Sequence, residues 1–289
     1  MTSAAAGGES PRRGALFAIA AGVTFGTLGI FGTLFYDEGG EPFTLLVMRF
    51  CGAALLLVAI ALARRRPLPA RGDALLAGLA GAGQLAATFC LFAGFEEASP
   101  GLVTLLFYIY PLLVTLGDRA FFGVTLGRRR ALLLGLGLSG IALTVGVPEE
   151  TSLAGILWGL GAGVFTSLFI LDSRYVMSRS VDSFQFVALA FGGAALALLA
   201  IAAVVGIDWP PAAALPFAGL LIIFSSVVPV LLFYAAIRLA GAGTAARLAT
   251  VEPVTAVVLS YVVLGDSLTL LQIAGGAIVL LAVIFLARP

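Results

Sequence analysis

Apolar runs of about 20 residues follow one another along almost the whole chain, parted by short polar clusters. Such a run is long enough to cross the hydrocarbon of a bilayer as a helix. Lipid offers the backbone no hydrogen-bond partner, so a lone spanning segment must satisfy itself as a helix. Ten runs stand out, at about residues 14–35, 43–63, 73–95, 99–118, 130–147, 154–173, 184–206, 213–237, 241–264 and 269–287. The pattern predicts an all-α integral membrane protein with ten transmembrane helices. Its connections are too short for a soluble domain. Residues 1–13, ending in Pro11-Arg12-Arg13, are small and polar and predict a disordered cytoplasmic tail. The apolar run behind them is of span length and lacks a small-residue cleavage site, which argues against a cleaved signal peptide.

The charges between the runs set a direction. With the N-terminus inside, the inner segments hold Arg12, Arg13, Arg64, Arg65, Arg66, Arg71, Arg119, Arg128, Arg129, Arg130, Arg174, Arg179, Arg238 and Arg288. The outer loops then hold no arginine, only Asp37, Glu38, Glu41, Glu96, Glu97, Glu149, Glu150, Asp208 and Asp266. Cytoplasmic enrichment in arginine is the positive-inside pattern. It predicts a multi-pass protein of the inner membrane with both termini in the cytoplasm.

Composition narrows the chemistry. Of 289 residues, 61% are hydrophobic and 11% charged, against roughly a quarter charged in soluble proteins. The chain has no lysine, histidine or asparagine. A Walker A loop, a retinal or pyridoxal Schiff base and Asn-linked glycosylation are therefore excluded. Without histidine or a cysteine cluster a metal centre is not expected, and no cofactor is implied. Cys51 and Cys90 both fall within runs and read as packing residues. A net charge of +1 with dispersed arginines suggests no nucleic-acid partner. The partners expected are the lipid bilayer and a small-molecule substrate, and the pattern leaves the oligomeric state open.

The chain also repeats itself. Residues 52–61 and 193–202 agree at eight of ten positions at an offset of 141, and Phe43 and Phe50 recur as Phe184 and Phe191. The same offset carries Gly14, Leu16, Ala21, Gly22 and Val23 onto Gly155, Leu157, Ala162, Gly163 and Val164. An offset of 142 carries Gly101, Pro111, Gly123 and Leu126 onto Gly243, Pro253, Gly265 and Leu268. Two five-helix units follow, over residues 14–147 and 154–287. Because five is odd, the second enters the membrane inverted. Pairs of this kind build secondary transporters that bind substrate near the midplane between the halves.

Ten helices in a 5+5 inverted-topology repeat, with Glu252-Pro253 in the ninth and Pro111 at the matching place in the fourth, resemble the drug/metabolite transporter superfamily. Within it the EamA family is most similar, and within that the bacterial amino-acid and metabolite exporters. The resemblance covers residues 14–287. It departs around Phe122-Gly123-Val124, which lacks the acid kept at Leu264-Gly265-Asp266. The resemblance implies transport of small polar or amphipathic solutes through a cavity lined by helices one, three, four, six, eight and nine.

Glu252 is the sharpest candidate. A carboxylate at membrane depth is costly unless it is paired, protonated or used. It could hold a substrate ammonium or carry a coupling proton; the structural alternative is an ion pair with Arg247, about 140° away around the helix. Pro111 and Pro253 each remove a helix hydrogen bond and should kink their helices, and Pro229 after Ser225-Ser226 suggests a third break. Tyr108 and Tyr110 stand about 200° apart, so one of them should face the cavity. Tyr110 aligns with Glu252 across the repeat, which favours it. Gln84 and Thr88 share a helix face and could hold a carboxylate or amide, or bond between helices. Trp158 and Tyr234 are further lining candidates. Arg49 is expected to pair with Glu38 or Glu41 or to reach back to the surface, with an anion-binding role open because Ala190 replaces it in the second half. Glycines 155, 159 and 163, and glycines 22 and 26, form ridges for close helix packing.

The repeat predicts a secondary transporter working by alternating access, and the resemblance implies that it exports amino acids or related metabolites. A drug, cationic-compound or nucleotide-sugar carrier is the alternative. A channel lacks the polar stripe it would need, and an intramembrane enzyme lacks catalytic groups.

Overall fold

The computed structural model describes residues 10–65, 67, 69–97, 100–125, 127–145, 152–179, 181–265 and 269–287. Among them every regular element is helical. The first expected run comprises α1 (Ser10–Phe25) and α2 (Leu28–Asp37), followed by α3 (Pro42–Ala63) and α4 (Arg71–Glu97). Next come α5 (Pro100–Phe107), α6 (Tyr110–Phe122), α7 (Arg128–Val145), α8 (Leu153–Ser178) and α9 (Ser183–Val205). The chain continues through α10 (Leu215–Ile222), a π-helical turn (Ile223–Val227) and α11 (Val228–Ala240). It ends with α12 (Ala242–Ala249), α13 (Glu252–Leu259), a second π-helical turn (Ser260–Leu264) and α14 (Leu270–Ala287).

Among the described residues seven stretches are long and apolar enough to cross a membrane: Pro11–Asp37, Pro42–Ala63, Arg71–Gly94, Leu153–Ser178, Ser183–Val205, Leu215–Ala240 and Ala242–Leu264. The sequence predicts ten; the other three expected runs correspond to α5 with α6, to α7, which opens on three arginines, and to α14, which holds the apolar segment Ile273–Phe285. Of the tail expected over 1–13, residues 10–13 already belong to α1, where Pro11 is tolerated in the first turn because no helical partner awaits its nitrogen. Residues 1–9, the loop residues Arg66, Glu149, Glu150, Asp266 and Arg288, and the repeat positions Leu126 and Leu268 lie outside the described residues.

Helix α4 packs along α8 and α9, α1 along α11, α3 along α9, and α7 along α14, while α12 meets α6. At the crossing of α4 and α9 the backbones touch. A β-carbon on Gly81 would strike the carbonyl of Ala190, and one on Gly193 the carbonyl of Gly78. Only small residues permit that approach. The outer faces of α3, α7, α9 and α14 carry exposed Leu55, Leu62, Leu132, Leu196, Val204 and Leu270. An apolar exterior around a tightly packed interior is what a bilayer requires of its solute.

Candidate functional site

Two helical runs break where they meet the neighbouring α1 and α8. Pro111 has no N–H to give the carbonyl of Phe107, and Pro253 none for that of Ala249. The helix accordingly ends at Phe107 and resumes at Tyr110, and ends again at Ala249 and resumes at Glu252. Each freed carbonyl lies against a glycine of the facing helix. A β-carbon would stand 3.0 Å from Phe107 O if added at Gly163, and 2.6 Å from Ala249 O if added at Gly22. Residues 22 and 163 differ by 141 and residues 107 and 249 by 142, so the two halves build one contact twice.

The Pro229 run behaves differently. Instead of breaking, Leu215–Ala240 continues as one helical stretch and widens into a π-helical turn at Ile223–Val227. That turn absorbs the missing donor of Pro229 without opening the chain. It also aims Ser225 and Ser226 sideways: the hydroxyls of Thr27 and Ser225 lie 2.6 Å apart, and Ser226 Oγ accepts from Arg49 Nε at 2.9 Å.

Between these features lies a cavity of about 160 Å³. Its walls are mostly apolar, with the rings of Phe25, Phe92, Phe107, Tyr110, Phe169, Phe191, Phe233 and Tyr234 beside aliphatic Leu28, Leu91, Ile170 and Val230. Phe107 and Tyr110 sit 5.1 Å apart between ring centres, and Phe169 meets Tyr234 edge-on at 5.7 Å. The polar members are few, namely Arg49, Gln84, Thr88, Thr166 and Glu252.

Five of the sequence candidates are thus brought together: Gln84, Thr88, Tyr110, Tyr234 and Glu252. Two are not. Tyr108 is buried and packs on Phe107 and Tyr110 behind the wall, the opposite lean expected from its helical offset. Trp158 stands eight residues before the cavity-lining Thr166 on α8, about 12 Å along the axis, and meets Phe89 edge-on at 5.8 Å instead. Thr88 spends its hydroxyl proton on the Gln84 carbonyl of its own helix, at 2.9 Å. The amide of Gln84, the hydroxyls of Tyr110 and Tyr234, the carboxylate of Glu252 and the terminal nitrogens of Arg49 bond to no described residue. Among the described residues no fully sealed polar side-chain atom lacks a partner. These unpaired groups are therefore open to the cavity.

The pairing expected of Arg49 does not form, nor does the alternative one between Arg247 and Glu252. Arg49 neither meets Glu38 or Glu41 nor returns to the surface; it is only 9% exposed and turns inward, because Ser226 and the cavity receive its guanidinium. Arg247 does not pair with Glu252. Its guanidinium is taken instead by Thr115 Oγ1 of α6 and by Thr244 Oγ1 of its own helix, to each of which it donates at 3.1 Å.

A second polar cluster escaped the sequence reading. Asp118 on α6 is 3% exposed, forms an ion pair with Arg174 of α8, and accepts the Gly243 N–H of α12 at 3.0 Å. Arg174 also lies over the Phe122 ring, 4.1 Å from its centre. Beyond the end of α8, Arg179 donates to Asp73 at 2.8 Å and to the Tyr175 hydroxyl, hydrogen bonds that push its guanidinium above the ordinary arginine range. The signal in the sequence was Asp118-Arg119, an acid inside a run whose end is otherwise basic.

The sequence pattern of the EamA-like transporter family matches residues 12–146 and, a second time, residues 153–288. The chain belongs to that family. An uncharacterized transporter of Archaeoglobus fulgidus is 29% identical to this EamA chain over 184 residues, which is 63% of each protein's length. A protein of known crystal structure superposes on 93% of the chain and 96% of its own, with a TM-score of 0.80 and 20% identity, and shares its fold. Together with the apolar stretches, these matches make the chain a multi-pass membrane protein of the EamA-like transporter family, built of two family units.

Proposed function

We propose that this transporter exports amino acids or related small metabolites across the inner membrane by alternating access, binding them in the cavity between its two units. In this reading the chain crosses the bilayer ten times, with residues 14–147 and 154–287 as inverted five-helix repeats and both termini cytoplasmic. The observation that carries it is a hollow lined from both proline breaks, rich in aromatic rings and holding a few unpaired polar groups. Aromatic walls with sparse, convergent polar groups suit a small amphipathic solute. Glu252 holds the substrate ammonium, while Gln84 and the hydroxyls of Tyr110 and Tyr234 orient the remainder. The contact repeated at Gly22 and Gly163 supplies two equivalent pivots, one per half, about which the units rock.

A carrier of organic cations is the competing reading, since Glu252 among aromatic rings would also hold a cation. Arg49 in the same cavity opposes it. The test is counterflow in proteoliposomes loaded in turn with amino acids, purines and cationic dyes. Trans-acceleration by amino acids is the expected result. Exchange of dyes or purines alone would assign the protein to another substrate class.

A further inference from the structure

We propose that Arg49 is the carboxylate receptor of this transporter, so that the substrate is a zwitterion held between Arg49 and Glu252. The inference rests on the amino-acid reading above and deepens it. A residue seven positions into α3 lies about 10 Å along the helix from its start, and an arginine buried at such depth costs several kcal/mol unless something compensates it. The only hydrogen bond that Arg49 makes among the described residues is to a neutral hydroxyl, Ser226 Oγ. That bond uses Nε and fixes the plane of the guanidinium. The two terminal nitrogens remain as an end-on fork, open to the cavity, and such a fork matches the two oxygens of a carboxylate.

The opposite charge is in the same cavity and equally unused. Glu252 forms no ion pair with Arg49, although each lies within electrostatic reach of the other. Two unlike charges that share a hollow and stay apart are arranged for a ligand that brings both counter-charges at once. The repeat sharpens this. The position matching Arg49 is Ala190, and the position matching Glu252 is Tyr110. The cavity is therefore polar in one sense only, and a zwitterion has a single favoured orientation in it. A substrate lacking the carboxylate leaves the Arg49 charge with only the Ser226 hydroxyl and the Phe50 ring, and one lacking the amine leaves Glu252 without a counter-charge. The cost of an unpaired buried charge is what discriminates.

The test is calorimetric binding to the transporter in lipid nanodiscs with three probes of matched shape: L-leucine, L-leucinamide and 4-methylpentanoate. The wild-type protein is expected to bind leucine about tenfold or more tightly than either analogue. Arg49→Gln should abolish the preference for leucine over leucinamide while leaving the preference over 4-methylpentanoate; Glu252→Gln should do the reverse. Should Arg49→Gln fail to fold, Ser226→Ala releases Nε and should narrow the leucine-to-leucinamide ratio by a smaller factor. Each ratio is taken within one protein, so a loss of folded fraction does not move it. No measurable leucine binding, equal affinity for leucine and leucinamide, or a ratio unchanged in both Arg49→Gln and Ser226→Ala would overturn the proposal. If counterflow exchanges amino acids while the ratio is one, the role of Arg49 falls and the export reading stands. Counterflow of dyes or purines alone removes the export reading itself.

Discussion

Glu252 starts α13 where the helix resumes after Thr250-Val251, so its carboxylate sits at the positive end of a helix dipole as well as in the cavity. It is the one carboxylate among the cavity-lining residues. Protonation cancels its hold on an ammonium, so exchange should weaken as the pH falls through its titration. Glu252→Gln should flatten the pH profile of exchange in proteoliposomes, and a profile of unchanged shape would remove Glu252 from that role. Asp118 carries a different prediction. Its ion pair with Arg174 is buried at the acid and partly exposed at the base, so Asp118→Ala should cost about 2 kcal/mol, read as a lower melting temperature in detergent. Asp118→Asn should recover part of that by still accepting the Gly243 N–H. The prominence of Glu252 was legible in the sequence, because a carboxylate beside a proline in an apolar run has few uses. Arg49 was misread because the alternative partners, Glu38 and Glu41, are near in sequence, whereas Ser226 is 177 residues away. Only the folded chain brings that hydroxyl to it.

The elements owe their shape to where helix hydrogen bonds are missing. Pro111 and Pro253 were readable as kinks from composition alone, and both helices do break there. The glycine ridges were also readable, but what they receive was not. Gly22 and Gly163 each meet a carbonyl that a proline has freed four residues upstream, a pairing between distant segments that no local pattern encodes. Gly163→Val would force the side chain into Phe107 O and Ile109. It should lower stability by about 1–3 kcal/mol through overpacking and slow exchange more than binding. The comparison is of melting temperature, leucine affinity and counterflow rate in one preparation. Affinity lost in proportion to rate would mean that the contact shapes the cavity and is no pivot. The π-helical turn before Pro229 shows the limit of reading prolines as breaks. A missing donor can be absorbed by widening the helix, and the outcome depends on neighbours such as Thr27 and Arg49 that take up the displaced serines.

At the scale of the whole molecule, the duplication visible in the sequence is matched by two successive family units, at residues 12–146 and 153–288. The packing of α4 on α8 and of α1 on α11 has the reciprocity that such a duplication produces: the third segment of each half lies on the first of the other. The cavity sits at that junction, where the halves differ in Arg49 against Ala190 and in Glu252 against Tyr110. Duplication accounts for the frame, and the proposed substrate selection would belong to these differing positions. The central claim is that this hollow communicates with each side of the membrane in turn. The direct test is Gln84→Cys in a protein whose Cys51 and Cys90 are replaced by alanine, probed with a membrane-impermeant thiol reagent applied separately to inside-out and right-side-out vesicles. Labelling from both sides, slowed by L-leucine in each case, is the predicted result; labelling from one side only, or from neither, would contradict it.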